Sequence, residues 1–458
     1  MLNGDFSSWL APKGVGAIHD PQSANGYFPN NMIPVSRFNP VVQKILGYVP
    51  TSASSTYQLR FGTPTQRIQD DQYLIRGDHS FNEKHRLSLR YFLMHYNQPW
   101  VTIPNNLLYV AAGQFGYAHN AVVNYTWVAS SSLLNELTVS FSRETPQAAP
   151  PSSIQNTNLQ SFGANVLVVP NFPTMNLSIS NWSGINLALG YYSPESTYQI
   201  NDSVSYTTGR HNIRFGGELV KFRIDIASYY LSGGSASFSG QLLSDPARAN
   251  AGNAFAEFWL GDAASWQQQS FWSERLYNLY PALYVKDDFR VTSRLTLNVG
   301  LRWDPKYDYK EQKNKEMTVY PGPAVRCVSK RAARATIHRR QRHRVYYRAV
   351  RSQQFRPAIR HCLSVDSQTV IRSGYGIFYD QNPAIANNRA AAGQPFIQQT
   401  VLVGPVSLSN PYGSGTPLNP FPINPGPNFQ FTPYSTWALR SPNQVSGYLQ
   451  NWNLVVER

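Results

Sequence analysis

Along most of the chain, apolar and polar residues take alternate places. The pattern is cleanest between Asn278 and Asp304, where Leu295, Leu297, Val299, Leu301 and Trp303 hold every other position and Thr296, Asn298, Gly300 and Arg302 fill those between. Successive side chains of a strand point to opposite faces, so this period of two predicts a strand with one greasy face. Asp287, Asp288 and Arg290, then Val291 to Arg294, interrupt the pattern with polar residues over a stretch too short for a crossover helix. The stretch is therefore expected to be an antiparallel hairpin. Trp303 and Tyr307 close one end of its apolar face, and the other face carries amide, hydroxyl and guanidinium groups suited to water or a polar lumen.

The same unit recurs. Tyr73 and Ile75 alternate with Leu74, Arg76 and Asp78, a turn falls at Asn82 to His85, and Leu87, Leu89, Tyr91 and Leu93 share a face. Val123, Tyr125 and Trp127 precede a turn at Ala129 to Ser132, followed by Leu137, Val139 and Phe141. A third pair runs from Tyr198 to Asp225 around Gly209, a residue that supplies the positive φ of a tight hairpin turn. Single strands are expected at Thr369 to Tyr379 and near Gly447 to Arg458, giving about ten in all. Short connections alternate with long ones. Residues 1–60 are turn-rich and residues 1–66 are expected to be an external loop; Pro146 to Tyr192, Ser232 to Ser273 and the proline-rich Asp380 to Arg440 are the further long loops. Short helices are expected at Asn39 to Gly47 and Asn253 to Leu260. The expected fold is thus all-β: about ten strands of an antiparallel transmembrane β-barrel, with short turns on one rim and long external loops on the other.

Composition points the same way. Charged residues are 14% of the 458, well below the roughly 25% of soluble domains, while aromatics reach 13% with 28 Tyr and 10 Trp. Tyr and Trp pair an apolar ring with a polar tip and suit the two membrane interfaces. No run of about 18 apolar residues occurs, which excludes membrane-spanning helices and leaves strands open. The N-terminus does not read as a secretory signal. Two cysteines exclude a disulfide scaffold. The net charge of +15 is concentrated: twelve of the 40 basic residues lie between Arg326 and Cys362 with no acid among them, leaving 28 against 25 elsewhere.

Little in the chain reads as catalytic. Cys327, His338, His343 and Cys362 lack the paired spacing of a zinc site, and no Ser, His and Asp set has a recognisable context. Adjacent Asp287 and Asp288 would point to opposite faces of a strand and cannot share a proton; they are expected to be turn residues at the periplasmic end. No enzyme activity, cofactor or metal is expected. Arg339, Arg340, Arg342 and Arg344, with Tyr346 and Tyr347, would make a nucleic-acid patch, a reading that ranks third and predicts a soluble protein. The inward polar positions are the candidate lumen-lining set: Arg76, Arg90, Asn124, Arg214, Glu218, Arg302 and Arg372. Ordinary interior salt bridging explains them as readily as ligand contact. Trp259, Trp266 and Trp272 could touch a ligand or pack within the loops.

Several segments in order resemble the TonB-dependent outer-membrane receptors of the Oar-like kind, which carry a carboxypeptidase-regulatory-like domain. They are Asn3-Gly4-Asp5-Phe6-Ser7, Ile33-Pro34-Val35-Ser36-Arg37, Gln72 to Arg90, Arg214-Phe215-Gly216-Gly217-Glu218, Tyr284 to Trp303, Arg372 to Asp380 and Gln450-Asn451-Trp452-Asn453-Leu454. The resemblance implies a 22-stranded barrel closed by a plug and seated in outer-membrane lipid. It also implies import of a nutrient, not identifiable from these residues, driven by the TonB complex. An adhesive or structural surface protein is the alternative. Against that pattern the chain lacks signal, regulatory domain, TonB-contacting segment, plug, first strands and closing strands, and is expected to be a fragment without a plug domain. Barrel hairpins and loops would occupy residues 67–310, and further strands with the proline-rich loop residues 367–458. Family members have a segment resembling Asn-Asn-Phe-Ala-Pro-Arg-Phe-Gly-Ile-Ala-Tyr after the fourth hairpin. Codons for it, read from the third base, give Gln-Phe-Arg-Pro-Ala-Ile-Arg-His-Cys-Leu, the residues from Gln354 to Leu363. Residues 324–366 are therefore expected to be translated out of frame.

Overall fold

The computed structural model describes residues 3–7, 18–20, 22–23, 26–50, 64–169, 172, 174–187, 190–244, 252–305, 307, 309–313, 317–320, 334–337, 354–379, 397–413 and 447–458. Eleven strands form one antiparallel path in chain order. They are β1 (Gln69–Ser80), β2 (His85–Gln98), β3 (Gln114–Ser130), β4 (Leu133–Glu144), β5 (Glu195–Thr208), β6 (His211–Ser228), β7 (Trp272–Arg290), β8 (Leu295–Trp303), β9 (Phe355–Ser364), β10 (Val370–Tyr379) and β11 (Tyr448–Glu457). The mostly-β, large antiparallel sheet is the expected fold class, with one strand more than the pattern gave. That strand, β9, lies in the basic segment and pairs with β8 and β10. Among the described residues β1 pairs only with β2 and β11 only with β10.

The short turns share a device. Asn82 Oδ1 accepts the amides of Lys84 and His85, Thr292 Oγ1 those of Arg294 and Leu295, and Asp366 Oδ1 those of Gln368 and Thr369. A short polar side chain thus replaces a ladder partner where the chain reverses. At the β5–β6 turn Gly209 takes φ +55°. Asp287 and Asp288 lie inside β7, whose ladder runs to Arg290, and not in the turn. They do face opposite ways: Asp287 meets His211 Nδ1 at 2.7 Å, and Asp288 accepts from Asn298 at 2.6 Å.

Cross-strand register lines the apolar positions into a continuous outward belt. One row reads Leu89, Val123, Val139, Ile200 and Leu219, and another Val204, Phe215, Val285 and Leu301. Aromatic rings bound the belt. Near the turns, His85 stacks on Trp127 and bonds Tyr125 Oη at 2.6 Å, and His211 stacks on Phe289 at 4.3 Å. Towards the loops, His95 stacks on Tyr117 at 4.8 Å and Phe141 meets Tyr198 at 5.1 Å. On β3, Tyr117 and Trp127 are ten residues apart. At about 3.4 Å per residue and a tilt of about 40°, that is roughly 26 Å, the height of an outer-membrane apolar band.

The long loops fold into a cap with its own core. The N-terminal segment packs here through Phe6, Ile18, Phe28 and Ile33, together with helix α1 (Pro40–Leu46) and its buried Val41, Val42 and Ile45. Helix α2 (Ala254–Leu260) joins it, and both helices fall where the sequence predicts, capped by Asn39 and Asn253. A second sheet in the order Gln399–Ser407, Asp262–Gln269, Ser235–Phe238, Asn176–Ile179, Ile185–Asn186 draws on three separate loops. Gly261 ends α2 at φ +69°, and a Cβ there would collide with the Asn39 side chain. Most of the proline-rich loop, including Pro417, Pro420, Pro422, Pro425, Pro427 and Pro433, lies outside the described residues.

Candidate functional site: the inner face and the cap

All seven expected lumen positions fall on the face opposite the apolar belt, but the structure joins only two of them directly. Glu218 accepts from Arg302 at 2.6 Å and from Gln199 at 2.8 Å. Glu218 and Arg302 reach each other across β7 because Glu218 stands in register with Ala282, whose methyl leaves room above the sheet. Arg302 also faces Asp304 at 3.4 Å, and Asp304 takes Arg356 at 2.7 Å. The result is an ion-pair ladder from β5 to β9: Gln199, Glu218, Arg302, Asp304, Arg356.

The other five positions stand apart. Arg214 meets Glu136 at 3.1 Å and Ser203 Oγ at 2.9 Å. Asn124 accepts from Thr138 at 2.9 Å. Arg76 pairs with Asp78, two residues along the same exposed edge strand, at 2.8 Å. Arg372 pairs with Glu457 at 2.9 Å near the other edge. Arg90 stands in register with Arg76 and has no ion-pair partner among the described residues. Sequence reasoning missed Glu136, Asp304 and Arg356. Glu136 was legible, being an inward position of an alternating strand. Asp304 and Arg356 were not, since one follows a strand end and the other sits in the basic segment.

Polar groups also lock the cap. Gln268 is wholly buried, donates to Leu167 and Ser232 carbonyls at 2.6 and 2.9 Å, and accepts from Tyr412 Oη at 2.6 Å. Tyr412 accepts from Trp266 Nε1 at 3.1 Å, and burial pushes its hydroxyl up to about 12. Glu257, buried on α2, takes the amides of Ser239 and Leu242 at 2.9 and 2.6 Å. Burial raises its carboxyl above the ordinary value and these amide bonds pull it part of the way back. Trp259 and Trp266 are core residues of the cap, while Trp272 opens β7 half-buried. Where cap meets sheet, a cleft of about 330 Å³ is lined by Gln98, Gly113, Gln114, Gly190, Tyr191 and Tyr230. No group of His, Cys, Asp and Glu suited to a metal occurs among the described residues. Arg339, Arg340, Arg342, Arg344, Tyr346 and Tyr347, with Cys327, His338 and His343, lie outside them, and Cys362 is a free thiol.

An apolar belt edged with aromatic rings, a charged inner face, short turns on one rim and folded loops on the other define an outer-membrane β-barrel. The chain belongs to the outer membrane beta barrel domain family, whose model matches residues 1–458. It lies in the bacterial outer membrane, which excludes the soluble nucleic-acid reading. A comparison with curated proteins returned no match.

Among solved structures it is similar to the alcaligin outer membrane receptor FauA from Bordetella pertussis, at 11% identity and TM-score 0.38 over 69% of this chain and 36% of that one. The ferric-catecholate import receptor Fiu of Escherichia coli K12 matches at 10% and 0.37 over 68% and 44%. The P. aeruginosa FpvA complexed with an iron-loaded heterologous pyoverdine matches at 9% and 0.39 over 69% and 36%. The chain thus spans less than half the length of these structures.

Proposed function

We propose that the chain forms barrel wall and external cap of a TonB-dependent nutrient receptor of the Oar-like kind. The observation that carries this reading is the charged inner face. A ladder of carboxylates and guanidinium groups facing inward across β5 to β8 needs a water-filled or protein-filled interior, as a transporting barrel has and a lipid-facing surface does not. In this reading Arg214, Glu218 and Arg302 line the lumen or contact a plug, the cap covers the external mouth, and the TonB complex of the inner membrane supplies the energy. Residues 1–66 belong to the external side, and residues 324–366 are a stretch translated out of frame.

The test is uptake of labelled vitamins, iron chelates and oligosaccharides by cells carrying or lacking the full gene, each with and without a working TonB complex. Uptake of one ligand that needs both, and that falls in a Glu218→Ala/Arg302→Ala variant, is the expected result. Surface capture that persists without TonB and is never followed by uptake would replace transport with adhesion. The cap's own hydrophobic core favours that second reading, because a rigid folded surface presents a binding face without moving.

A further inference from the structure

Above the apolar belt the outward face of the sheet turns basic. On β4 the outward series Val139, Phe141 ends at Arg143, and on β6 Phe215 and Leu219 give way to Lys221 and Arg223. On β7 Leu283 and Leu279 are followed by Tyr277 and Arg275. Register gathers these side chains into one patch. Arg143 stands beside Ser196, Ser196 beside Arg223, and Arg223 beside Tyr277, while Lys221 lies between Tyr198 and Leu279. Lys310 stands in register with Tyr277. Ser196 is buried between the two arginines and accepts from Arg143 at 3.1 Å. Among the described residues one acid lies in the patch: Asp225, held by Arg223 at 2.6 Å and by Arg275. Five cations around this one described carboxylate leave a positive field, and Lys221 is exposed within it.

Height fixes what this field meets. Lys221 is ten residues along β6 from His211, the residue after the tight turn. At a tilt of about 40° that places its ammonium roughly 26 Å above the turn rim, where hydrocarbon gives way to headgroups of the outer leaflet. Phe141, Tyr198 and Leu279 flank Lys221 in its own row, and the apolar strip of Val139, Ile200 and Leu219 runs directly beneath.

We infer that this face binds a phosphate-bearing lipid of the outer leaflet, its phosphate held by Arg143, Lys221 and Arg223 and its acyl chains laid along that strip. A soluble anion would match the cations and leave the strip unmatched; an uncharged lipid would do the reverse. Arginine suits the role through its planar donors, which fit phosphate oxygens. The inference rests on the outer-membrane placement and not on transport.

The experiment is native mass spectrometry of the full protein in neutral detergent, with bis-phosphorylated lipid A, its dephosphorylated form, or inorganic phosphate added. Wild-type protein should retain the phosphorylated lipid. A basic residue near the membrane surface contributes roughly fivefold to anionic-lipid affinity, so Arg143→Gln/Lys221→Gln/Arg223→Gln together should lower retention by roughly a hundredfold. Lys84→Gln, at the opposite rim, should leave it unchanged. Heat-dependent gel migration verifies that each variant is folded. Should the triple variant not fold, Lys221→Gln alone must still show the roughly fivefold loss. Equal retention by the variants, or equal retention of the dephosphorylated lipid, overturns the inference. Complete displacement by millimolar phosphate would make the patch a site for free anions and overturn it as well.

Discussion

Replacing Asp304 by Asn tests the inner-face ladder at its most buried point. The Asp304 side chain is 4% exposed, and its Oδ2 lies 2.7 Å from an Arg356 Nη2 that is itself largely covered. Asn keeps the shape and removes the charge. Breaking a buried pair by removing one partner costs about 3–5 kcal/mol, because the other charge stays desolvated. Arg302 escapes most of that penalty: it keeps Glu218 at 2.6 Å and is 31% exposed. Arg356 does not, since its Nε is already without a partner and its remaining contact is the Tyr379 carbonyl at 3.3 Å. The expected loss therefore sits at the low end, about 3 kcal/mol. Urea unfolding in lipid vesicles, followed by heat-dependent gel migration, would measure it. A double-mutant cycle with Arg356→Met should give a coupling of about 2 kcal/mol. Stability within about 0.5 kcal/mol of wild type, or an additive cycle, would refute the pair. It would also remove the side-chain support for β9 lying between β8 and β10 in this register.

Three further outcomes are expected. Tyr412 is held neutral in the fold and pushed up to about 12, against about 10 unfolded, so the stability it lends the cap is intact below pH 10 and lost as pH rises from 10 through 12. The loss reaches roughly 2–3 kcal/mol, and Trp266 fluorescence on alkaline titration should show it in wild type and not in Tyr412→Phe. Glu257→Gln turns an amide nitrogen towards the Ser239 or Leu242 N–H and should cost about 1–3 kcal/mol, read as faster hydrogen exchange at residues 239–243 with the barrel strands unchanged. High-accuracy resequencing of codons 320 to 370 should reveal a one-base correction that restores Asn-Asn-Phe-Ala-Pro-Arg and replaces Arg356, so the Asp304–Arg356 cycle is measured on the chain that carries Arg356; an unaltered frame would end the out-of-frame reading.

The barrel strands were legible because their signal is local. A period of two survives in any segment whose two faces meet different media, and Leu295 to Trp303 carries it without reference to the rest of the chain. The turns at Asn82, Gly209 and Thr292 were legible for the same reason, since each acts on amides two or three residues away or on its own φ; the turn at Asp366 follows β9, a strand the pattern did not give. So were both helices, through Asn39 and Asn253. The cap was not. Its second sheet takes strands from residues 176–186, 235–238, 262–269 and 399–407, and Gln268 is satisfied by groups from three separate loops. A glutamine or a tryptophan in a loop gives no local sign of which distant loop will cover it.

The candidate site divides along the same line. Alternation assigned Arg76, Arg90, Asn124, Arg214, Glu218, Arg302 and Arg372 to one face, and the register keeps them there, but a shared face is not contact. Contact depends on what stands between: Ala282 lets Glu218 meet Arg302 two strands away. Partner choice also depends on strand ends, where alternation stops and Asp304 turns inward to take two arginines. The basic segment adds a third reason. Charge counting treats its twelve arginines and lysines as one island, yet Arg356 and Arg360 alternate with Phe355, Pro357 and Ile359 and sit on the inner face of β9. A net charge describes a segment; the period of two within it decides which of its charges enter the sheet.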